Sequence, residues 1–252
     1  FVPLVKKRVG KVIVECYPPL ARLVQSVDGV DRVVRRDKPV SYDVHAPLMS
    51  LPFILGTTLE TLPTHIPYVS VPPDDIARWR TRLGERPSIG LVWRGHPSNT
   101  INARKSLPIA RVAEIVADTD VNWVVLQPDA EPAELETLAN ATSRLKDYGR
   151  EVVDWADTGA LVSGLDLVIS VDTGVAHLTG ALGRPGWVLL SAVPDWRWLL
   201  DRDDSPWYPT LRLIRQPEPG DWRSVVKDAR WRLKEWCTQI AAPLGPPHSA
   251  GR

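Results

Sequence analysis

The sequence predicts an α/β protein built on parallel sheets, and three observations predict it. Short β-branched runs alternate with stretches of helical apolar spacing along most of the chain. Glycines and prolines fall where that alternation changes, as at Gly84 and Gly183. The 252 residues are 44% hydrophobic and 24% charged, which is enough for a sizeable core in one large unit or two small ones.

The elements follow in order. "FVPLVKKRVG" reads as the back half of an amphipathic helix ending at Gly10, and Phe1 is not a start methionine, so the chain reads as a piece of something longer. "KVIVEC" (11–16) is a strand, "PPLARLVQSV" carries Leu20, Leu23, Val24 and Val27 at helical spacing, and "DRVVRRD" is a second short strand. "YDVHAPLMSLPFILG" fits a strand, a loop at Pro47 and a helical turn. Four prolines break residues 60–75 into a linker. "DDIARWRTRLG" is then a helix, with Asp74 or Asp75 as cap and Gly84 as stop.

From Pro87 the alternation is cleaner. The strands are "SIGLVW", "VNWVVLQ", "DLVISV", "PGWVLLS" and "LRLIRQ". The helices are "IARVAEIVAD", "PAELETLANAT", "ALVSGL", "TGVAHLTGALG" and the closing "WRSVVKDARWRLKEWC". The expected organisation is a partial α/β unit over 1–60, a Pro-rich linker and helix over 61–84, a second α/β unit over 85–240, and a disordered tail over 241–252.

Composition removes several classes of function. Net charge is +1 and no basic stripe exceeds "VKKR" or "DRVVRR", which argues against a nucleic-acid partner. Cys16 and Cys237 stand near opposite ends and offer no metal-ligand spacing; they read as reduced thiols. No apolar run approaches a membrane span and no signal peptide opens the chain, so the expected compartment is the cytoplasm.

In open parallel sheets, ligands sit beyond the carboxyl ends of the strands. The residues to weigh there are Arg94 and its loop, Gln127 to Glu131, Asp172-Thr173-Gly174, and Ser191 to Trp196. An Asp-Thr-Gly triplet is also the mark of aspartic proteases, but those are all-β and need two such aspartates. Here one triplet runs into a helix. The first amides of a helix lack internal partners and carry the positive end of its dipole, which favours an anion. Thr173 adds a hydroxyl, Gly174 would let a phosphate approach the backbone, and His177 shares the face of Thr173 by i, i+4 spacing. Alternatively, Asp172 only caps the helix and His177 is a satisfied core residue.

"WRGHPSNTINARKSLP" gathers Arg94, His96, Arg104 and Lys105 at one sheet edge, a set suited to a diphosphate if it is more than a solvated loop. Glu131 is either a ribose acceptor or a carboxylate complementing a helix dipole. Of Trp196, Trp198 and Trp207, two are expected to pin their loop, and Asp195 and Trp196 are the cleft-facing candidates.

"DLVISVDTGVAHLTGALGRPGWVLL…PDWRWLLDRDDSPWYPTLRLIRQ…GDW", with "GLVWRGHP…RKSLP", resembles the glycosyltransferase-like module that follows tetratricopeptide repeats in many bacterial proteins. That module is similar to the heptosyltransferases of glycosyltransferase family 9. The resemblance covers about residues 10–235 and implies a GT-B fold: two Rossmann-like domains facing a cleft, the N-terminal one incomplete here.

The resemblance also implies a nucleotide-sugar donor, with its diphosphate held by Asp172, Thr173, Gly174 and His177. Lys105 is the match for a phosphate-binding lysine and Glu131 for the ribose contact. The family's catalytic aspartate falls on a loop with no counterpart after Phe1. Glu15, Asp43 and His45, expected at the ends of the remaining N-terminal strands, are therefore the candidates for base work or acceptor contacts.

The activity so implied is a glycosyltransferase needing no metal or other cofactor, with an unknown glycan, lipid-linked or protein acceptor. The alternatives are a non-catalytic nucleotide-sugar-binding or scaffolding module, and an epimerase-like enzyme using the same nucleotide site.

Overall fold

A computed structural model describes residues 1–38 and 40–241. The chain opens with a short helix, α1 (Val2–Lys6), which stops well before Gly10. Then come β1 (Ile13–Cys16), a 3-10 turn leading into α2 (Ala21–Gln25), and β2 (Arg32–Arg35). These two strands pair in parallel, Ile13 opposite Arg32. The strand expected around Asp43 is not formed. Residues 40–47 are irregular and lead into a 3-10 turn at Leu48–Ser50 and the single turn α3 (Leu51–Ile54). Pro47 and Pro52 each lack an N–H, which suits the first turn of a helix better than a ladder.

The linker ends in α4 (Pro73–Leu83). Its N-cap is Pro72, while Asp74 and Asp75 lie in the first turn, where they complement the dipole without capping it. Gly84 ends the helix at φ 80°, a conformation that favours glycine.

The second sheet begins with β3 (Ser88–Val92), followed by the one-turn helix α5 (Asn102–Lys105) and α6 (Ile109–Val116). Next are β4 (Asn122–Val125), α7 (Pro132–Ala141) and β5 (Leu145–Asp147). Then α8 (Trp155–Gly164), β6 (Leu167–Val171), α9 (Gly174–Ala181) and β7 (Gly186–Leu190) follow, and β8 (Leu211–Arg215) and α10 (Trp222–Ala241) close the described chain. The expected tail beyond Ala241 lies outside the described residues. The helix expected from Ala160 starts earlier, at Trp155, because Asp154 caps it by accepting from the Asp157 N–H at 2.8 Å.

All six strands are parallel, in the order β5-β4-β3-β6-β7-β8. Strands β3, β4, β6 and β7 are buried throughout, as a parallel sheet covered on both faces requires. One core packs Val92, Val124 and Val168 under α4, α8 and α9; the other packs Ile89, Trp123 and Ile169 under α6, α7 and α10. The chain leaves β3 toward one edge and returns beside it at β6 to build the other. A ligand crevice belongs at that reversal, outside the carboxyl ends of β3 and β6.

Candidate functional site

The loop after β3 folds back on itself. The Gly95 N–H donates to Asn102 Oδ1 at 2.8 Å and the Leu107 N–H to the Trp93 carbonyl at 2.8 Å. This brings Lys105, the last residue of α5, to the end of β6, where its ammonium donates to Asp172 Oδ2. Both partners are mostly buried, with 13% of the lysine and 7% of the aspartate side chain exposed. Asp172 Oδ1 accepts from the Trp198 indole N–H at 2.8 Å. Two loops thus meet on one carboxylate at the reversal point of the sheet.

Asp172 is therefore not the cap of α9, contrary to one reading of the sequence. Thr173 occupies the N-cap position, and its hydroxyl lies 2.9 Å from Ser170 Oγ without capping the helix. The first turn of α9 so keeps its amides free of any side-chain cap. Gly174 has a structural reason to be glycine that sequence reasoning missed. A Cβ there would fall 2.4 Å from Trp155 Cη2, so the indole of α8 walls that side of the helix start.

His177 stands one turn into α9. Its ring stacks on Trp198, centroids 5.0 Å apart and planes 17° from parallel. Nε2 lies 3.9 Å from Asp172 Oδ1 and Nδ1 lies 3.3 Å from Tyr208 Oη. Burial pushes the imidazole below its ordinary value, with the Asp172 charge only partly opposing, so it is held neutral near pH 7.

The next loop adds Asp195 and Arg197. Asp195 caps a 3-10 turn by accepting from the Arg197 N–H at 3.1 Å and from its guanidinium at 2.8 Å. Burial works against the Asp195 charge, but those bonds hold its carboxyl below the usual range. Arg197 also lies over the Trp196 ring, 4.6 Å from its centroid, and reaches Met49 Sδ from the segment before α3. Trp198 is buried and Trp207 half-buried, while Trp196 is 55% exposed, so two of the three tryptophans pin the loop as expected.

Other sequence candidates do not join this cluster. Arg94 turns away from the crevice to Asp129 at 2.5 Å and Glu134 at 3.0 Å, and its charge is already neutralised there. Gln127 is buried; its side chain accepts from the Arg94 N–H at 3.3 Å and donates to Asp129, a brace for the same loop. Glu131 is the N-cap residue of α7, and its N–H donates to Glu134 Oε2 at 2.8 Å. His96 pairs with Ser98. Glu15 lies within β1 and Asp43 and His45 in the irregular stretch; all three are exposed and none ends a strand.

Among the described residues no group of three His, Cys, Asp or Glu side chains could hold a metal, and no helix is long and apolar enough to cross a membrane. A cavity of about 760 Å³ opens elsewhere, against α2, β2 and the linker, lined by Gln25, Val34, Ser70 and Ala156 among others. It touches none of the residues at the reversal point.

The chain is similar to known proteins in sequence and in fold. The model of glycosyltransferase family 9 (heptosyltransferase) matches residues 64–192, just over half of the chain, including Lys105 and Asp172 to His177. Protein FlbA of Caulobacter vibrioides is 28% identical over 192 residues, 72% of this chain and 31% of its own; the chain spans about a third of that relative's length. Among solved structures, the ADP-heptose lps heptosyltransferase II of E. coli superposes with a TM-score of 0.61 at 15% identity, over 96% of this chain and 94% of that one. A family 9 glycosyl transferase of Veillonella parvula does so with a TM-score of 0.51 at 14% identity, over 83% of this chain and 64% of that one. The α/β architecture with parallel sheets is thus that of the GT-B heptosyltransferases.

Proposed function

We propose that this chain, which belongs to glycosyltransferase family 9, is the donor-binding part of an enzyme that transfers a sugar from a nucleoside-diphosphate sugar to an acceptor. The observation that carries the reading is the convergence of Lys105, Asp172, the uncapped start of α9 and His177 where the sheet order reverses. The E. coli relative is named for ADP-heptose, which makes an adenosine diphosphate the first donor nucleotide to test.

In this reading the first amides of α9 and the Thr173 hydroxyl hold the leaving diphosphate, and Lys105 offsets its charge. Asp172 is itself anionic and would repel a phosphate, so its task is to hold Lys105 and Trp198 in place. His177, neutral, acts as a hydrogen-bond donor. These groups stabilise charge that grows as the glycosidic bond to phosphate breaks, and no metal is required of them. The base that activates the acceptor is assigned to no residue of this chain; Glu15, Asp43 and His45, all exposed, are candidates only for an acceptor that binds against them.

The rest of the proposal is coarser. Residues 1–60 form the acceptor side and residues 85–240 the donor side, with 61–84 joining them. The parent protein carries tetratricopeptide repeats and works in the cytoplasm on a glycan, lipid-linked or protein acceptor. What supports this is the sequence resemblance alone.

The test is calorimetric titration of ADP into the wild type, Lys105→Ala and Thr173→Ala. Loss of one charge-assisted hydrogen bond predicts roughly tenfold to a hundredfold weaker binding for Lys105→Ala. Equal affinity in all three proteins would remove the site assignment. Tight ADP binding with no transfer to any acceptor would favour the second reading, a binding module without catalysis.

A further inference from the structure

Tyr208 lies in the stretch Ser205–Tyr208, to which the proposed function gives no task. Its hydroxyl lies 3.3 Å from His177 Nδ1 and 3.4 Å from the hydroxyl of Tyr68, a residue of the segment before α4. The ring of Tyr208 is fixed. It is buried, it meets His177 edge-on at 5.8 Å, and Gly180 of α9 leaves room for it, since a Cβ there would fall 2.3 Å from Tyr208 Cγ. Tyr68 is held too, by its N–H donating to the Ala181 carbonyl at 3.0 Å.

The chain Tyr68–Tyr208–His177 can run in two directions. In one, Nδ1–H donates toward Tyr208, and the bare lone pair of Nε2 faces the Asp172 carboxylate 3.9 Å away. In the other, Tyr68 donates to Tyr208, Tyr208 donates to Nδ1, and Nε2 carries the proton toward that carboxylate. A lone pair facing a buried anion is repulsive and an N–H facing it is attractive, so Asp172 selects the second direction. Burial supports it from both ends: it pushes the Tyr208 phenol far up, keeping its proton available to donate, and pushes the His177 imidazole down, keeping Nδ1 an acceptor.

We propose that Tyr208, backed by Tyr68, is a positioning residue that fixes His177 as the neutral tautomer protonated on Nε2. What that N–H does for a ligand rests on the function proposed above; the tautomer itself does not. Because Tyr68 belongs to the joining segment and Tyr208 to the loop before β8, the relay also ties the position of that segment to the hydrogen-bonding state of the crevice.

The experiment is nitrogen NMR of the full chain with labelled histidine, at a pH well above the imidazole's titration range. The sequence has five histidines, and His177→Gln identifies the signals of interest. In the wild type, Nδ1 should appear unprotonated and Nε2 protonated. Tyr208→Phe keeps the ring that Gly180 accommodates and removes only the hydroxyl, so its His177 signals should move toward a mixture of tautomers, with a smaller move in Tyr68→Phe. A wild type protonated on Nδ1, or a His177 spectrum unmoved by Tyr208→Phe, overturns the inference.

ADP affinity measured on the same samples should fall about fivefold in Tyr208→Phe, the worth of one neutral hydrogen bond. If the tautomer shifts as expected while ADP fails to bind even the wild type, the proposed function falls and the role of Tyr208 stands.

Discussion

The two sheets begin from similar strands and end in different states. In β1 and β2 only Val14 and Val34 are buried, one residue of each strand, whereas β3, β4, β6 and β7 are buried along their whole length. Parallel strands need cover on both faces. The six-stranded sheet has helices on each side. The two-stranded sheet has α2 and borrows the rest: Leu23 joins a core made mainly by the larger sheet, Arg22 reaches Asp154 at 3.0 Å, and the Ser70 N–H donates to Ser26 Oγ at 2.9 Å. Large apolar side chains stay exposed after β2, Phe53 at 90%. The difference separates two jobs. The rigid sheet can hold a charged cluster with sub-ångström demands, while the small one depends on its neighbour for its own order.

Core truncation should break the comparison most sharply. Trp123→Ala, in the middle of the large sheet, is expected to cost about 3–5 kcal/mol, against about 1 kcal/mol for Val34→Ala in the small one. Urea unfolding measures both. Equal losses would mean that the small sheet is packed as tightly as the large one, and the contrast drawn above would be wrong.

Ion pairs make the second test. The Lys105–Asp172 pair is mostly buried, so Asp172→Ala strands a buried ammonium and should cost about 3 kcal/mol. Arg22 is half exposed, and Arg22→Ala should cost less than about 1 kcal/mol despite its two acidic partners, Asp75 and Asp154. Gly174→Ala comes next. With Trp155 2.4 Å from the new methyl, overpacking predicts a loss of about 1–3 kcal/mol, read from the unfolding midpoint without any ligand. A stable Gly174→Ala protein with weakened ADP binding would restore the simpler view that this glycine serves only the phosphate.

How much of this could be read in the sequence follows the same division. The large sheet was legible because buried parallel strands are continuous β-branched runs, and the crevice followed from the rule that ligands sit beyond strand ends. Edge strand β5, Leu145–Asp147, was not, because a half-buried strand with two charges in three residues has no apolar signature. Residues 42–47 mislead in the opposite way: Tyr42 and Val44 resemble the start of a strand but are exposed. Within the site, type and placement make Asp172 and His177 candidates without deciding between a ligand role and a structural one, and only the family resemblance singles out Lys105 from its loop. Arg94 and Gln127 stand at strand ends with equal promise, and nothing in one dimension shows that Asp129 and Glu134 already occupy them. Trp198, Tyr208 and Tyr68 were seen only as parts of dense aromatic or Pro-rich stretches. Their roles depend on contacts 26, 31 and 140 residues apart.

The smallest expected effect concerns pH, and it isolates one residue of the rigid region. Burial, opposed in part by Asp172 and Asp195 and aided by Arg197 and Lys105, lowers the His177 imidazole from its ordinary 6.5 in the folded chain. The unfolded chain therefore takes up this proton first as pH falls through 6.5, and the folded chain only at lower pH. Stability should thus be full above about 6.5 and decline below it, at no more than about 1.4 kcal/mol per pH unit, the limit for one proton. The lowered carboxyls of Asp129, Glu134 and Asp195 act in a separate, more acidic window, at and below their ordinary values of 3.8 and 4.5. Unfolding midpoints of wild type and His177→Gln between about pH 5 and 8 separate the two. The wild type should lose stability toward pH 5 and the variant should lose less. Parallel curves would show that His177 protonates as easily folded as unfolded, against the downward direction set by its half-buried place beside Trp198, Tyr208 and Asp172.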